Sequence, residues 1–160
     1  MSGAGRAALI ALVGSSALTL GALGFQYLAD LPPCPLCIEQ RIPHLAAILF
    51  GLLGFVGDRN NTAPGFPLSM SLLAALALIV TGLMGVNHAG IEYGWWAGPD
   101  SCTQGASAGT IEDLMAQIER QSVVMCDEAP WTLLNISLAG YNALISLGLS
   151  ALVLREAMKK

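Results

Sequence analysis

The sequence predicts an all-α membrane protein, a four-transmembrane-helix bundle with a short amphipathic helix in its second outer loop. Of the 160 residues, 54% are hydrophobic and 11% are charged, whereas a soluble domain carries about 25% charged residues. Four apolar stretches are long enough, or nearly so, to cross a bilayer. The predicted spans of this single membrane domain (residues 1–160) are 7–29, 38–57, 66–87 and 131–154.

The first two spans meet in a short loop. The run from Ala7 to Ala29 exceeds the roughly 7–15 apolar residues of a secretory signal, so we expect a retained helix. Pro32 and Pro33 end this helix, because proline removes a backbone donor. The second apolar stretch reaches spanning length only if its helix begins near Cys37, which places Arg41 in the first turns.

The long second loop, residues 88–130, contains a candidate helix between Thr110 and Arg120. Thr110 can cap its N-terminus with Asp113 at the third helical position. Apolar residues then recur at helical spacing, at Ile111, Leu114, Met115 and Ile118. This segment is too short to span, so we expect it to lie flat on the membrane surface.

Basic residues predict the orientation, because they favour the cytoplasmic side. Four spans put one group of basic residues on the side of both termini, namely Arg6, Arg59, Arg155, Lys159 and Lys160. Only Arg41 and Arg120 fall on the other side. We therefore expect a multi-pass membrane protein with both termini cytoplasmic and the loops at 30–37 and 88–130 on the outer side. In a bacterium this is the inner membrane, and the outer side is the periplasm. The net charge of −4 and the scattered basic residues argue against a nucleic-acid partner.

Two cysteine pairs carry the predicted chemistry. Cys34 and Cys37 form a Cys-x-x-Cys motif, the usual spacing for reversible disulfide exchange. Cys102 and Cys126 lie in the long polar loop, where a soluble protein can reach them. All four fall on the predicted periplasmic side, where disulfides persist. This pattern favours redox chemistry over a four-cysteine zinc site or two structural bridges, and spacing alone leaves three pairings open.

Polar residues near the membrane surface are the next candidates. Arg41 opposes the positive-inside tendency, and a guanidinium there can stabilise a thiolate or donate to a carbonyl oxygen. His88 ends the third span, and the residues alone favour an interfacial role for it over a catalytic one. His44 is a weaker functional candidate. Gln26, Asn135 and Asn142 are expected to form interhelical hydrogen bonds.

Four segments resemble the bacterial DsbB family, disulfide bond formation protein B. They are the Cys34–Arg41 run (CPLCIEQR), the His88–Trp96 run (HAGIEYGWW), Gly98–Cys102 (GPDSC) and Cys126–Trp131 (CDEAPW). The resemblance covers nearly the whole chain, including the topology and the loop helix. It implies an enzyme that reoxidises a periplasmic thioredoxin-fold oxidase of the DsbA type and passes the electrons to ubiquinone or menaquinone.

The resemblance also implies roles for individual residues. Cys102 is attacked by the reduced partner, and Cys126 then exchanges with the Cys34–Cys37 disulfide at Cys34. Cys37 is released facing the quinone, Arg41 contacts and polarises the quinone, and His88 is a neighbour of the ring.

Two other functions remain open at this stage. A vitamin K epoxide reductase-like enzyme also couples a Cys-x-x-Cys motif to a quinone, although its motif usually lies late in the chain. A non-enzymatic membrane protein would use the cysteines as structural bridges.

Overall fold

Four helices long and apolar enough to cross a membrane form the bundle. The computed structural model describes residues 1–63, 65–99, 102 and 125–159. Within these residues the helices are α1 (Gly3–Tyr27), α2 (Pro35–Glu39), α3 (Arg41–Arg59), α4 (Gly65–Glu92) and α5 (Leu138–Ala157). The predicted four-helix membrane bundle is confirmed. The amphipathic helix predicted at residues 110–120 lies outside the described residues.

The helices close into a ring in which α1 packs on α3, α3 on α4, α4 on α5 and α5 on α1. Small residues make this packing close. A methyl group at Gly51 would lie 2.8 Å from the backbone nitrogen of Leu12 in α1, and one at Gly85 would lie 2.9 Å from that of Ala143 in α5. Such approach of backbones is the usual way in which helices associate in lipid.

The interior of the bundle is filled by alanines and a few larger apolar side chains, among them Ala11, Ala47, Ala74, Leu78 and Val153. Larger apolar side chains point outward instead, with exposed fractions of 66% for Leu20, 58% for Leu83 and 61% for Leu144. An apolar outer surface around a small-residue interior suits a protein whose solvent is lipid.

The second span consists of two consecutive helices rather than one. It begins at Pro35, three residues before the predicted residue 38. α2 ends at Glu39, and Gln40 lies at the junction with α3, where it caps both helices. Arg41 is accordingly the first residue of α3. This junction brings the Gln40 side chain into the bundle interior, where it is 6% exposed.

The fourth span begins later than predicted, at Leu138 rather than near residue 131. The intervening residues form a hairpin in which Thr132–Leu133 (β1) pairs antiparallel with Ile136–Ser137 (β2). Leu134 and Asn135 turn the chain with positive φ angles of 52° and 59°, the conformation that two-residue hairpin loops require. The prediction of an interhelical role for Asn135 is therefore wrong, because this residue lies in the turn before α5 begins. Ser137 then caps α5 by accepting from the backbone nitrogen of Gly140 at 3.1 Å.

Candidate redox site

The Cys34–Cys37 motif lies at the start of α2. Cys34 is the N-cap residue, and its sulfur accepts a hydrogen bond from the backbone nitrogen of Cys37 at 3.2 Å. Pro35 occupies the first turn, where its missing N–H costs nothing. The two sulfur atoms lie 2.8 Å apart and are not bonded to each other. The helix start therefore holds both thiols in position to form or break a disulfide.

The second pair, Cys102 and Cys126, is joined by a disulfide with a Cα–Cα distance of 5.4 Å. This bridge packs directly on the first pair, because Cys34, Cys102 and Cys126 form one buried cluster. The Cys34 sulfur, the Cys126 sulfur and a ring nitrogen of His88 all lie within 4.8 Å of one another. Two cysteine pairs that are 65 residues or more apart in the sequence thus meet at one point.

The sequence predicted that a soluble protein can reach Cys102 and Cys126, but both are buried in the structure. Cys102 is 5% exposed and Cys126 is fully buried. The reason is the packing of this disulfide against Cys34 and Leu36. A partner must therefore displace part of this packing to reach the Cys102 sulfur.

The hydrogen bond that Cys34 donates to the Cys37 sulfur, together with burial, raises the pKa of the Cys34 thiol well above its usual range. This hydrogen bond disfavours the thiolate form of Cys34 when the pair is reduced. Because the thiolate is the nucleophilic form of cysteine, the geometry leaves the nucleophilic role of the reduced pair to Cys37.

His88 is 2% exposed and lies behind the cysteine cluster. Its Nε2 atom lies 3.5 Å from the Cys34 sulfur and 3.8 Å from a carboxylate oxygen of Glu92, one turn along α4. Its Nδ1 atom lies 2.8 Å from the side-chain nitrogen of Gln40. Of the sequence candidates, His88 is thus the one in contact with a cysteine.

A cavity of about 360 Å³ adjoins the cysteine cluster, within the range of about 300–1,000 Å³ found for small-molecule sites. Its walls come from α1, α3, α5 and the hairpin, and they are mostly apolar. Six side chains with a thiol, amide, guanidinium or imidazole group also line it: Cys37, Gln40, Arg41, His44, His88 and Asn142. Cys37 connects the thiol cluster to this cavity.

Arg41 lines the same cavity but contacts no cysteine by a hydrogen bond in the described residues. Its Nη1 atom donates to Gln26 of α1 at 2.7 Å, which bears out the interhelical role expected of Gln26. Its Nε atom is buried and has no hydrogen-bond partner among the described residues. A ligand with a carbonyl oxygen would supply the missing acceptor, so the cavity fits a quinone head group.

A metal site is less compatible with the cluster. Cys34, His88 and Cys126 have the proximity that metal ligands need. However, the Cys126 sulfur is bonded to Cys102, and a metal ligand is a free thiolate. Contacts between two sulfur pairs are explained more simply by disulfide exchange.

Sequence reasoning missed Gln40 and Glu92 as site residues. Glu92 follows His88 by four residues, so both lie on one face of α4. Asn142 was expected only as an interhelical hydrogen bonder, and it does bond across helices, to Gln40 at 2.6 Å and to His44 at 2.9 Å. The i,i+4 spacing was the available signal for Glu92, whereas Gln40 carries none before the helices are packed.

Comparisons with known proteins identify the family of the chain. The family model described as disulfide bond formation protein DsbB matches residues 5–155. A disulfide bond formation protein B from Alkalilimnicola ehrlichii is 32% identical, over 95% of both chains. One from Dechloromonas aromatica is 32% identical over 90% of this chain and 87% of its own. One from Stutzerimonas stutzeri is 24% identical over 95% and 93%.

No solved structure matches the chain. The family match spans all four helices and both cysteine pairs. The chain belongs to the DsbB family of disulfide bond formation proteins, and it is a multi-pass membrane protein with a thiol oxidoreductase role.

Proposed function

We propose that this protein reoxidises a periplasmic thioredoxin-fold oxidase of the DsbA type and passes the electrons to membrane quinone, either ubiquinone or menaquinone. One observation carries the proposal. The buried cluster puts the Cys34 and Cys126 sulfurs within 4.8 Å of each other, and the cluster adjoins an apolar cavity lined by Cys37 and Arg41.

The thiol relay follows from this arrangement. A partner thiolate attacks the Cys102 sulfur, which breaks the Cys102–Cys126 bond and frees Cys126 as a thiolate. Cys126 then attacks the Cys34 sulfur of an oxidised Cys34–Cys37 pair, and Cys37 leaves as a thiolate. Each exchange forms one S–S bond and breaks another. The second thiol of the partner then displaces Cys102 from the mixed disulfide, and Cys102 displaces Cys34 from Cys126. The partner leaves as a disulfide, the Cys102–Cys126 bond is restored, and the two electrons of the partner dithiol end on Cys34 and Cys37 at the wall of the cavity.

Other residues of the chain assist at defined points. The backbone nitrogen of Cys37 donates to the Cys34 sulfur, and His88 lies against the same sulfur. Arg41 offers its Nε–H, which has no partner in the described part of the chain, to a carbonyl oxygen in the cavity. A bound quinone accepts two electrons and two protons and leaves as the hydroquinone. A lipid-soluble acceptor suits the cavity because its walls are mostly apolar.

The charge distribution supports the proposed orientation. Arg6, Arg59, Arg155 and Lys159 lie at the end of the bundle opposite the cysteines. With that end in the cytoplasm, the cysteine cluster faces the periplasm, where a DsbA-type partner is found.

The test of the proposed function is quinone reduction by the purified protein in detergent, with a reduced thioredoxin-fold oxidase as electron donor. We expect continuous loss of quinone absorbance with ubiquinone or menaquinone, in proportion to the donor oxidised. A preparation with all four cysteines replaced by serine is the control for direct reaction between donor and quinone. An intact wild-type protein that reduces neither quinone would contradict the proposal.

A further inference from the structure

A network of side-chain amides connects α5 to the two histidines of the site. The Asn142 Nδ2 atom donates to Gln40 Oε1 at 2.6 Å and also faces the backbone oxygen of Thr81 at 3.4 Å. A backbone carbonyl oxygen only accepts hydrogen bonds. This contact therefore fixes which end of the Asn142 amide is the nitrogen, and the Oδ1 atom is the end that faces His44.

The amide orientation determines the hydrogen-bonding roles of His44. Its Nε2 atom lies 2.9 Å from Asn142 Oδ1, which also accepts from the Ser146 hydroxyl at 2.9 Å. Because Oδ1 can only accept, the His44 Nε2 atom carries the hydrogen. A neutral imidazole has one donor and one acceptor nitrogen, so the Nδ1 atom of His44 is the acceptor.

This acceptor has no partner within the described part of the chain. His44 is 5% exposed, and it lines the cavity beside Arg41. A buried acceptor that lacks a donor costs free energy. A ligand in the cavity that supplies a hydrogen-bond donor recovers that cost.

The oxidised and reduced forms of a quinone differ in whether they can donate a hydrogen bond. The oxidised ring presents two carbonyl oxygens, which only accept, and these suit the Arg41 Nε–H. The reduced ring presents two hydroxyl groups, which can donate. We propose that His44 Nδ1 accepts a hydrogen bond from a hydroxyl of the hydroquinone, so that this residue makes the cavity selective for the reduced form. This inference rests on the proposed function, and it identifies His44 as the residue that distinguishes the hydroquinone from the quinone.

This contact affects the direction of electron flow. A contact made with the hydroquinone and not with the quinone favours electron flow from the cysteines to the ring. Thr19 provides a matched comparison, because its hydroxyl also lacks a partner among the described residues and Thr19 lines the same cavity. A hydroxyl both donates and accepts, so it has no preference for either form.

The test is the dissociation constant of each form, measured by equilibrium dialysis with short-chain ubiquinone and with its hydroquinone under argon. All variants carry Cys37→Ser in the full chain, so that thiol exchange does not convert the ligand during the measurement. We expect His44→Leu to weaken hydroquinone binding about five- to thirty-fold and quinone binding less than about two-fold. In His44→Gln the amide nitrogen can still donate to Asn142, but the amide oxygen does not occupy the position of Nδ1, so we expect the same selective loss.

The outcomes separate this inference from the proposed function. Thr19→Val should change the dissociation constants of the quinone and the hydroquinone by similar factors. If His44→Leu weakens both forms equally, or His44→Gln binds as the parent does, His44 has only a structural role and the inference is wrong. If the parent protein binds neither form, the proposed quinone function fails, and this inference fails with it.

Discussion

Replacing Cys37 with serine stops quinone reduction, with a loss of at least about a thousand-fold, but leaves one round of thiol exchange intact. The Cys102–Cys126 disulfide remains available to the partner, so each protein molecule oxidises one partner molecule and then stops. Cys37 is the cysteine that lines the cavity, and without it the electrons have no exit. The measurement is rapid-quench titration of partner thiols together with quinone absorbance.

The matched control removes the other pair. Cys102→Ser combined with Cys126→Ser keeps Cys34, Cys37 and the cavity, but we expect neither the single oxidation of partner nor quinone loss. The reason is that the partner exchanges with the Cys102–Cys126 disulfide, and this variant lacks that bridge. Continued quinone reduction by the Cys37→Ser protein would show that electrons leave from another residue.

Replacing Arg41 with methionine raises the KM for quinone by about ten- to a hundred-fold, because a hydrogen bond from a charged donor is worth about 1.5–3 kcal/mol. Methionine keeps much of the apolar length of the side chain and removes every donor. Oxidation of one partner molecule per protein should be unchanged, since Arg41 makes no hydrogen bond to a described cysteine. Steady-state kinetics at varied quinone, with partner held in excess, measures the effect.

Two variants determine whether Arg41 acts on the ligand or on the bundle. Gln26→Leu removes the acceptor of the Arg41 Nη1 hydrogen bond and should change the KM by less than about three-fold. Arg41→Lys should recover part of the lost affinity, because an ammonium group is also a charged donor. If Gln26→Leu raises the KM for quinone as much as Arg41→Met does, Arg41 acts by holding α1 against α3 and not by binding the ligand.

The four spans could be predicted because lipid imposes a strong constraint on composition. Apolar length and missing charge were enough to place α1 and α4 within a few residues of their ends. The start of α5 could not be predicted in this way, since Trp131–Ser137 carries no charged residue and includes three large aliphatic side chains. The hairpin there depends on the positive φ angles of Leu134 and Asn135, which hydropathy does not report.

Much of the candidate site was visible as residue types but not as contacts. The motif spacing singled out Cys34 and Cys37, and the polar loop singled out Cys102 and Cys126. Their burial in one cluster was not foreseen, because it depends on how the loop packs on the bundle. Gln40 has ordinary sequence surroundings, and only the packing of α3 on α4 makes it a neighbour of His88. Glu92 could have been found from its i,i+4 spacing to His88.

The most direct test of the relay is disulfide trapping in a protein that contains only Cys34 and Cys126. Cys37→Ser combined with Cys102→Ser leaves these two sulfurs, which the structure places within 4.8 Å of each other. After mild oxidation, we expect peptide mass spectrometry to find a Cys34–Cys126 bridge in most molecules. The companion protein that retains only Cys37 and Cys102 should form little bridge. A Cys34–Cys126 yield no higher than that of the companion would contradict the relay through these two cysteines.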